Sequence, residues 1–394
     1  MSENYPGAPN ETQSQPKNAG YPPLEGNYFP PQQNLGGPVP PESLRGVQPG
    51  QPPVAPPVPP QAAPGVPSPP VAPWQTQAPA PYWAPPAPPV RAEQLQYHRL
   101  ALADLNHRWW KPLVEALIAV PIFLVLSVLI AVAYLGHLFV TGQLDLGSAM
   151  MNLATIQDNS LTNPATFLFM FTPVIIMWPA LWIGRLCMGP RPWGLIHSVA
   201  GRIRWGWLVQ TFAISIVLYV IIPTGFELLN GAELRPETDA SVGHIVLMLA
   251  LVLLIVPFQC YAEELVFRGY LMQTIGRWLK HPAFAIVLPA PLFMLGHAYD
   301  FWGQASILVM GIAAGFMAWY TGGLEAGIAM HVVNNLNLMA LGVLGLADPF
   351  AQSGVGFTDF LFAAGIEIVL VLVVMFAARK AGVARSQEYR VVDR

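Results

Sequence analysis

Across 394 residues, 54% are hydrophobic and only 10% charged, well under half the charge content of an ordinary soluble protein, about 25%. A formal charge of −3, from 19 basic and 22 acidic residues, comes with no arginine-rich patch interleaved with aromatics, so a nucleic-acid partner is not expected. What remains is a chain built for the lipid bilayer, read as an all-α, polytopic membrane helix bundle of about eight transmembrane helices behind a disordered proline-rich tail.

The tail comes first. Residues 1–95 are rich in Pro, Gly, Gln and Ala, and up to residue 90 the charged residues are Glu3, Glu11, Lys17, Glu25, Glu42 and Arg45. Successive prolines favour polyproline II, and this composition has too little to bury to form a core. Aromatics such as Tyr28, Phe29, Trp74, Tyr82 and Trp83 offer contact points for a partner of the tail. The basic n-region and apolar h-region of a signal peptide are missing, so the first membrane helix is expected to act as the targeting signal.

Apolar runs follow at about 114–139, 165–188, 206–225, 243–262, 283–299, 303–321, 324–346 and 357–378. Most reach the roughly 20 residues needed to cross hydrocarbon; the fifth is marginal. The fourth is prolonged by ELVFRGYLMQTIGRWLK, which makes it too long for one perpendicular span. The organisation reads as N-terminal helices with an interfacial connection at 96–205, a core at 206–345, a final helix at 346–380 and a C-terminal tail at 381–394. The connection RPWGLIHSVAGRIRW is either an interfacial helix or a plain loop.

Basic residues in short flanks orient the bundle. Arg108, Lys111, Arg185, Arg191, Arg202, Arg204, Arg277, Lys280, Arg379 and Lys380 all fall on one side, whereas loops 140–164 and 226–242 hold only Arg235. Both termini are therefore expected in the cytoplasm, in a multi-pass protein of the inner (plasma) membrane. Gly311 and Gly315 form GxxxG, read as close packing within the monomer with an oligomer contact as the alternative. Gly322 and Gly323 suit a tight junction between the sixth and seventh segments. Cys187 and Cys260 both sit in or beside apolar runs and read as small filler.

The chemistry lies in polar residues that are costly in hydrocarbon: Glu263 and Glu264 in QCYAEELVFRGYL, His297 in LFMLGHAYD, and His331 with Asn335 in IAMHVVNNL. Adjacent glutamates on a helix point about 100° apart, and Arg268 is four residues beyond Glu264, so Glu264 and Arg268 read as a supporting pair. Glu263 is then the carboxylate facing a cavity, with the reverse assignment as the alternative. A hairpin near His281 and Pro282 brings Glu263 and His297 to a similar level, where a carboxylate and an imidazole can activate one water. His331 and Asn335, one turn apart, are donors suited to a developing oxyanion, while Asn334 points elsewhere and reads as interhelical glue.

The constellation thus suggests water attack on a carbonyl inside the membrane, with Glu263, His297, His331 and Asn335 as catalytic residues. No cofactor is favoured. Were zinc involved, Glu263, His297 and His331 would be its ligands and Glu264 the base, although HExxH is absent. A proton-relaying transporter and a non-catalytic scaffold are the alternatives from other classes.

EELVFR at Glu263–Arg268, FMLGH at Phe293–His297 and HVVNN at His331–Asn335 resemble the EExxxR, FxxxH and HxxxN motifs of the CPBP family, the CAAX-protease and bacteriocin-processing (Abi) intramembrane peptidases. The resemblance covers roughly residues 200–345 and implies a multi-helix membrane endopeptidase acting on a peptide or membrane protein. It implies water activation by Glu263 and His297 and oxyanion stabilisation by His331 and Asn335, and it leaves metal dependence open. A proline-rich tail on such a core is similar to bacterial, particularly actinobacterial, chains. Since most bacteria lack prenylated CAAX proteins, the resemblance does not imply that substrate.

Overall fold

A computed structural model describes residues 89–143, 160–231, 235–351 and 354–392; the expected tail up to residue 88 lies outside the described residues. The two ends of the described chain meet. Val90–Gln96 (β1) pairs antiparallel with Ser386–Val392 (β2), Val90 opposite Val392 and Gln96 opposite Ser386. From sequence these segments were expected to belong to the two tails. Their pairing is anchored by Leu95 and Val391, both buried in the core, and by a 3₁₀ turn, Tyr97–Ala103, that buries Tyr97 and Leu100.

Between the strands the fold is helical: α1 Lys111–Val140, α2 Pro164–Met188, α3 Trp205–Leu229, α4 Val242–Trp278, α5 Pro282–Leu295, α6 Phe301–Thr321, α7 Glu325–Val343 and α8 Phe357–Lys380. Among the described residues seven are long and apolar enough to cross a membrane, so this is a multi-pass membrane helix bundle. The marginal fifth run becomes the short α5, broken at Leu288 because Pro289 lacks the N–H a continuous helix would use. At about 21 Å, α5 is shorter than the roughly 30 Å of hydrocarbon, and the paired strands bring the two described ends together.

The long fourth element is continuous. Its 37 residues span about 55 Å against about 30 Å of hydrocarbon, and a π-helical stretch, Leu265–Leu271, lets it continue beyond the bundle. Its end docks on the N-terminal flank: Arg277 donates to the carbonyls of Ala101 (3.1 Å) and His107, and Gly276 lies so close to the His98 carbonyl that a Cβ would collide. These segments form a cap over one end of the bundle.

The connection 189–204 belongs to that cap. It contains one short 3₁₀ turn, Trp193–Ile196, and then bridges to the α6–α7 junction through Ser198 and Gly323. Gly322 ends α6 at φ 71°, a left-handed conformation that glycine adopts without penalty, and Leu324 N donates to His197 O at 2.8 Å. Arg204 clamps the start of α7, its Nε and NH2 reaching Glu325 at 2.9 and 2.7 Å and its NH1 the Thr321 carbonyl at 2.9 Å.

Helix α7 is the most enclosed: 56% of its apolar window is buried, against none for α1, which packs on α2. One core cluster joins α2, α4 and α7, and another joins α6, α7 and α8 around Trp207 of α3. Gly311 and Gly315 pack on Ala290 and Ile286 of α5, so the GxxxG serves contact within the chain.

Candidate active site

The polar residues collect where α4 and α7 cross, with α5 and α6 closing the sides. Val242–Trp278 carries Gln259, Glu263, Glu264 and Arg268 at spacings of four or five, so they line the side of α4 facing α7. On α7, His331 and Asn335 are one turn apart and meet two levels of that ladder.

At the upper level, Arg268 NH1 donates to Glu264 Oε1 at 2.8 Å and NH2 to the Gly311 carbonyl at 3.3 Å. The same Glu264 oxygen lies 3.1 Å from His331 Nδ1, while His331 Nε2 lies 3.3 Å from Glu263 Oε2. The imidazole is thus held between two carboxylates. With a proton on each ring nitrogen, the set Glu263, Glu264, Arg268 and His331 sums to zero charge, the arrangement a low-dielectric interior tolerates best. All four are at least nine-tenths buried.

At the lower level, Gln259 Nε2 donates to Glu263 Oε2 at 2.8 Å, and Asn335 Nδ2 donates to Gln259 Oε1 at 3.3 Å. Asn334 Nδ2 in turn donates to Asn335 Oδ1 at 3.1 Å, and the Cys260 thiol to Gln259 Oε1 at 3.3 Å. Burial relaxes in this direction, since Asn334 and Asn335 are half-buried. The site therefore opens away from the cap.

His297 follows the end of α5. Its Nδ1 is 3.0 Å from the Phe293 carbonyl, which can only accept, so Nδ1 carries the proton and Nε2 of the neutral ring presents a lone pair. Glu263 and His297, expected as direct neighbours, are not hydrogen-bonded to each other: Glu263 engages Gln259 and His331. Phe293 links the two imidazoles instead, edge-on to His331 at 5.7 Å between centroids and 4.9 Å from His297, with the Arg268 guanidinium 4.3 Å from its centroid. His297 sits just past the end of α5 rather than within a helix.

Several contributors escaped the sequence reading. Gln259 had a signal, an amide one turn before Glu263 in an apolar run. Gly327 had none: a Cβ there would come within 2.9 Å of Glu264 Oε2. Glu367, a carboxyl in the middle of α8, was legible but passed over; Tyr219 OH donates to it at 2.5 Å, and Asn337 Nδ2 donates to the Tyr219 carbonyl at 3.2 Å. Tyr219 lies in the π-helical stretch Val217–Ile221 of α3, where the altered pairing leaves carbonyls available to other donors.

Among the described residues, no group of three or more His, Cys, Asp or Glu side chains is arranged to hold a metal ion.

Residues 243–337 match the family model for Type II CAAX prenyl endopeptidase Rce1-like proteins. That interval contains every residue of the two-level ladder. Over an alignment of 175 residues, covering 41% of this chain and 56% of the relative's length, the chain is 26% identical to the Uncharacterized protein YyaK of Bacillus subtilis (strain 168). No solved structure matches. Residues 243–337 of this membrane helix bundle are thus similar to that family.

Proposed function

We propose that this protein is an intramembrane endopeptidase that hydrolyses a peptide bond in a peptide or membrane-protein substrate, with Glu263 as general base. The observation that carries the reading is the pinning of His331 between Glu263 and Glu264 on the face that also presents Asn335. Such a set has ordered acceptors and donors in a water-poor setting, where both acid–base and oxyanion effects are strongest.

In the proposed reaction, water sits between Glu263 and His297 Nε2. Its oxygen attacks the scissile carbonyl carbon while its proton passes to Glu263. Negative charge then develops on the carbonyl oxygen, and His331 Nε2 and Asn335 Nδ2 turn from their resting acceptors, Glu263 and Gln259, toward it. Glu263 returns the proton to the amide nitrogen as the C–N bond breaks. Arg268 and Glu264 are positioning residues that fix the ring of His331.

No metal step is needed in this scheme. The basic residues of the cap, including Arg91, Arg108, Lys111, Arg191 and Arg202, support a cytoplasmic location for it and for both ends of the described chain, in the plasma membrane. The site would then be entered from the opposite half of the bilayer.

Mass-spectrometric detection of products from protein in lipid nanodiscs, offered a library of peptides and membrane proteins, tests the reading. Products that disappear with Glu263→Gln and persist with a zinc chelator are expected. Products surviving Glu263→Gln would sink the base assignment, and flux of an intact solute without covalent products would favour a transporter.

A further inference from the structure

An open groove lies on the far side of the helix that carries the glutamates. It has a volume of about 630 Å³ and is lined by Ile175, Trp178, Pro179, Trp182, His197 and Tyr261. The α2 residues fall at 175, 178, 179 and 182, the spacing of one helix face. Tyr261 is two residues before Glu263, hence about 200° around α4, so the groove and the carboxylate–imidazole ladder are separated by the helix itself.

Its walls are aromatic and ordered. Trp178 meets Tyr261 edge-on at 5.2 Å and stacks near Phe258 at 6.5 Å, and His197 Nε2 is 2.7 Å from Tyr261 OH. This pair places a polar point in an otherwise apolar wall. Both flanking helices are long and apolar enough to span a membrane.

A cation stands at the cap end of the same face. The Arg191 guanidinium lies 5.1 Å from the Trp193 ring centroid, and Trp193 contacts Trp182 at 6.4 Å. Arg191 is exposed just beyond the end of α2, the depth at which headgroups lie. Trp193 Nε1, buried, has no hydrogen-bond acceptor among the described residues.

We propose that this face binds one anionic phospholipid, its phosphate at Arg191 and one acyl chain along Trp182 and Trp178 toward the His197–Tyr261 pair. The line of cation, indoles and open apolar groove matches the headgroup-to-tail polarity of a lipid. A peptide would need backbone partners that the walls do not offer.

Native mass spectrometry of the full chain, released from detergent with equal phosphatidylglycerol and phosphatidylcholine, reads this directly. One retained phosphatidylglycerol per chain is expected, with Arg191→Gln lowering its retention about fivefold and leaving phosphatidylcholine unchanged. Acyl-brominated phosphatidylglycerol should quench tryptophan emission less in Trp182→Phe than in the wild type. Glu263→Gln should retain lipid normally. Equal retention of the two lipids, or retention unchanged by Arg191→Gln, overturns the proposal, as does quenching unaltered by Trp182→Phe.

Discussion

His331 Nδ1 lies 3.1 Å from the very oxygen of Glu264 that accepts from Arg268, so one carboxylate oxygen fixes both a guanidinium and the imidazole of the neighbouring helix. Removing it should be structural in effect. Glu264→Gln leaves Arg268 buried with a neutral partner and is expected to cost about 3–5 kcal/mol, read as a lowered melting temperature in detergent. Glu263→Gln, at the more exposed edge of the set, should lower the melting temperature less than Glu264→Gln while cleavage falls at least about a hundredfold. Equal melting of both variants would contradict this division of labour.

Gly327 gives a test by volume alone. Gly327→Ala places a methyl within 2.9 Å of Glu264 Oε2, against a tightly packed helix crossing. Cleavage should drop while Gly365→Ala, with nothing within 4 Å, stays at the wild-type rate. Equal rates for the two variants would show that Glu264 yields without consequence.

The Arg204–Glu325 clamp sets where α7 begins, and His331 lies six residues further on. Glu325→Ala should lower stability by about 2 kcal/mol, less than a fully buried pair because Arg204 remains partly exposed. Hydrogen exchange should accelerate at Ser198, Val199 and Leu324, the residues that bridge to the α6–α7 junction. Unchanged protection there would mean that the clamp does not hold the junction.

Acid should loosen the cap through His107. Burial, helped by the Arg277 charge, pushes this imidazole from its usual 6.5 down to about 3, and both ring nitrogens lack partners among the described residues. The unfolded flank therefore binds a proton that the folded flank refuses. Stability from this group is intact above pH 6.5 and is lost as pH falls from about 6.5 toward about 3, by about 2 kcal/mol at pH 5. The hydrogen-exchange protection factors over residues 97–110, each taken against the intrinsic rate at that pH, should fall between pH 7.5 and 5 in the wild type and much less in His107→Phe.

Most of the long helices were legible as apolar runs, and the residues that meet where α4 and α7 cross, Glu263, Glu264, Arg268, His331 and Asn335, were legible because polar groups are expensive in hydrocarbon. The i, i+4 link of Glu264 to Arg268 needs only helix periodicity. What periodicity misses is anything decided between helices. Whether Glu263 meets His297 or His331 depends on where α5 breaks, and Pro289 ends its first half before the chain reaches His297. The β1–β2 ribbon was hidden for a similar reason: short strands of mixed polarity carry little signal until their distant partner is known.

That ribbon also imposes an order on biosynthesis. Roughly 290 residues separate Gln96 from Ser386, so β1 leaves the ribosome about 15–60 s before its partner exists. During that interval it is an unpaired edge, a template for wrong pairing that Arg91 and Glu93 help to discourage. Closure comes only after the last helix has been inserted. A chain truncated or threaded the wrong way round would leave β1 single, and that exposed strand would mark it as unfinished.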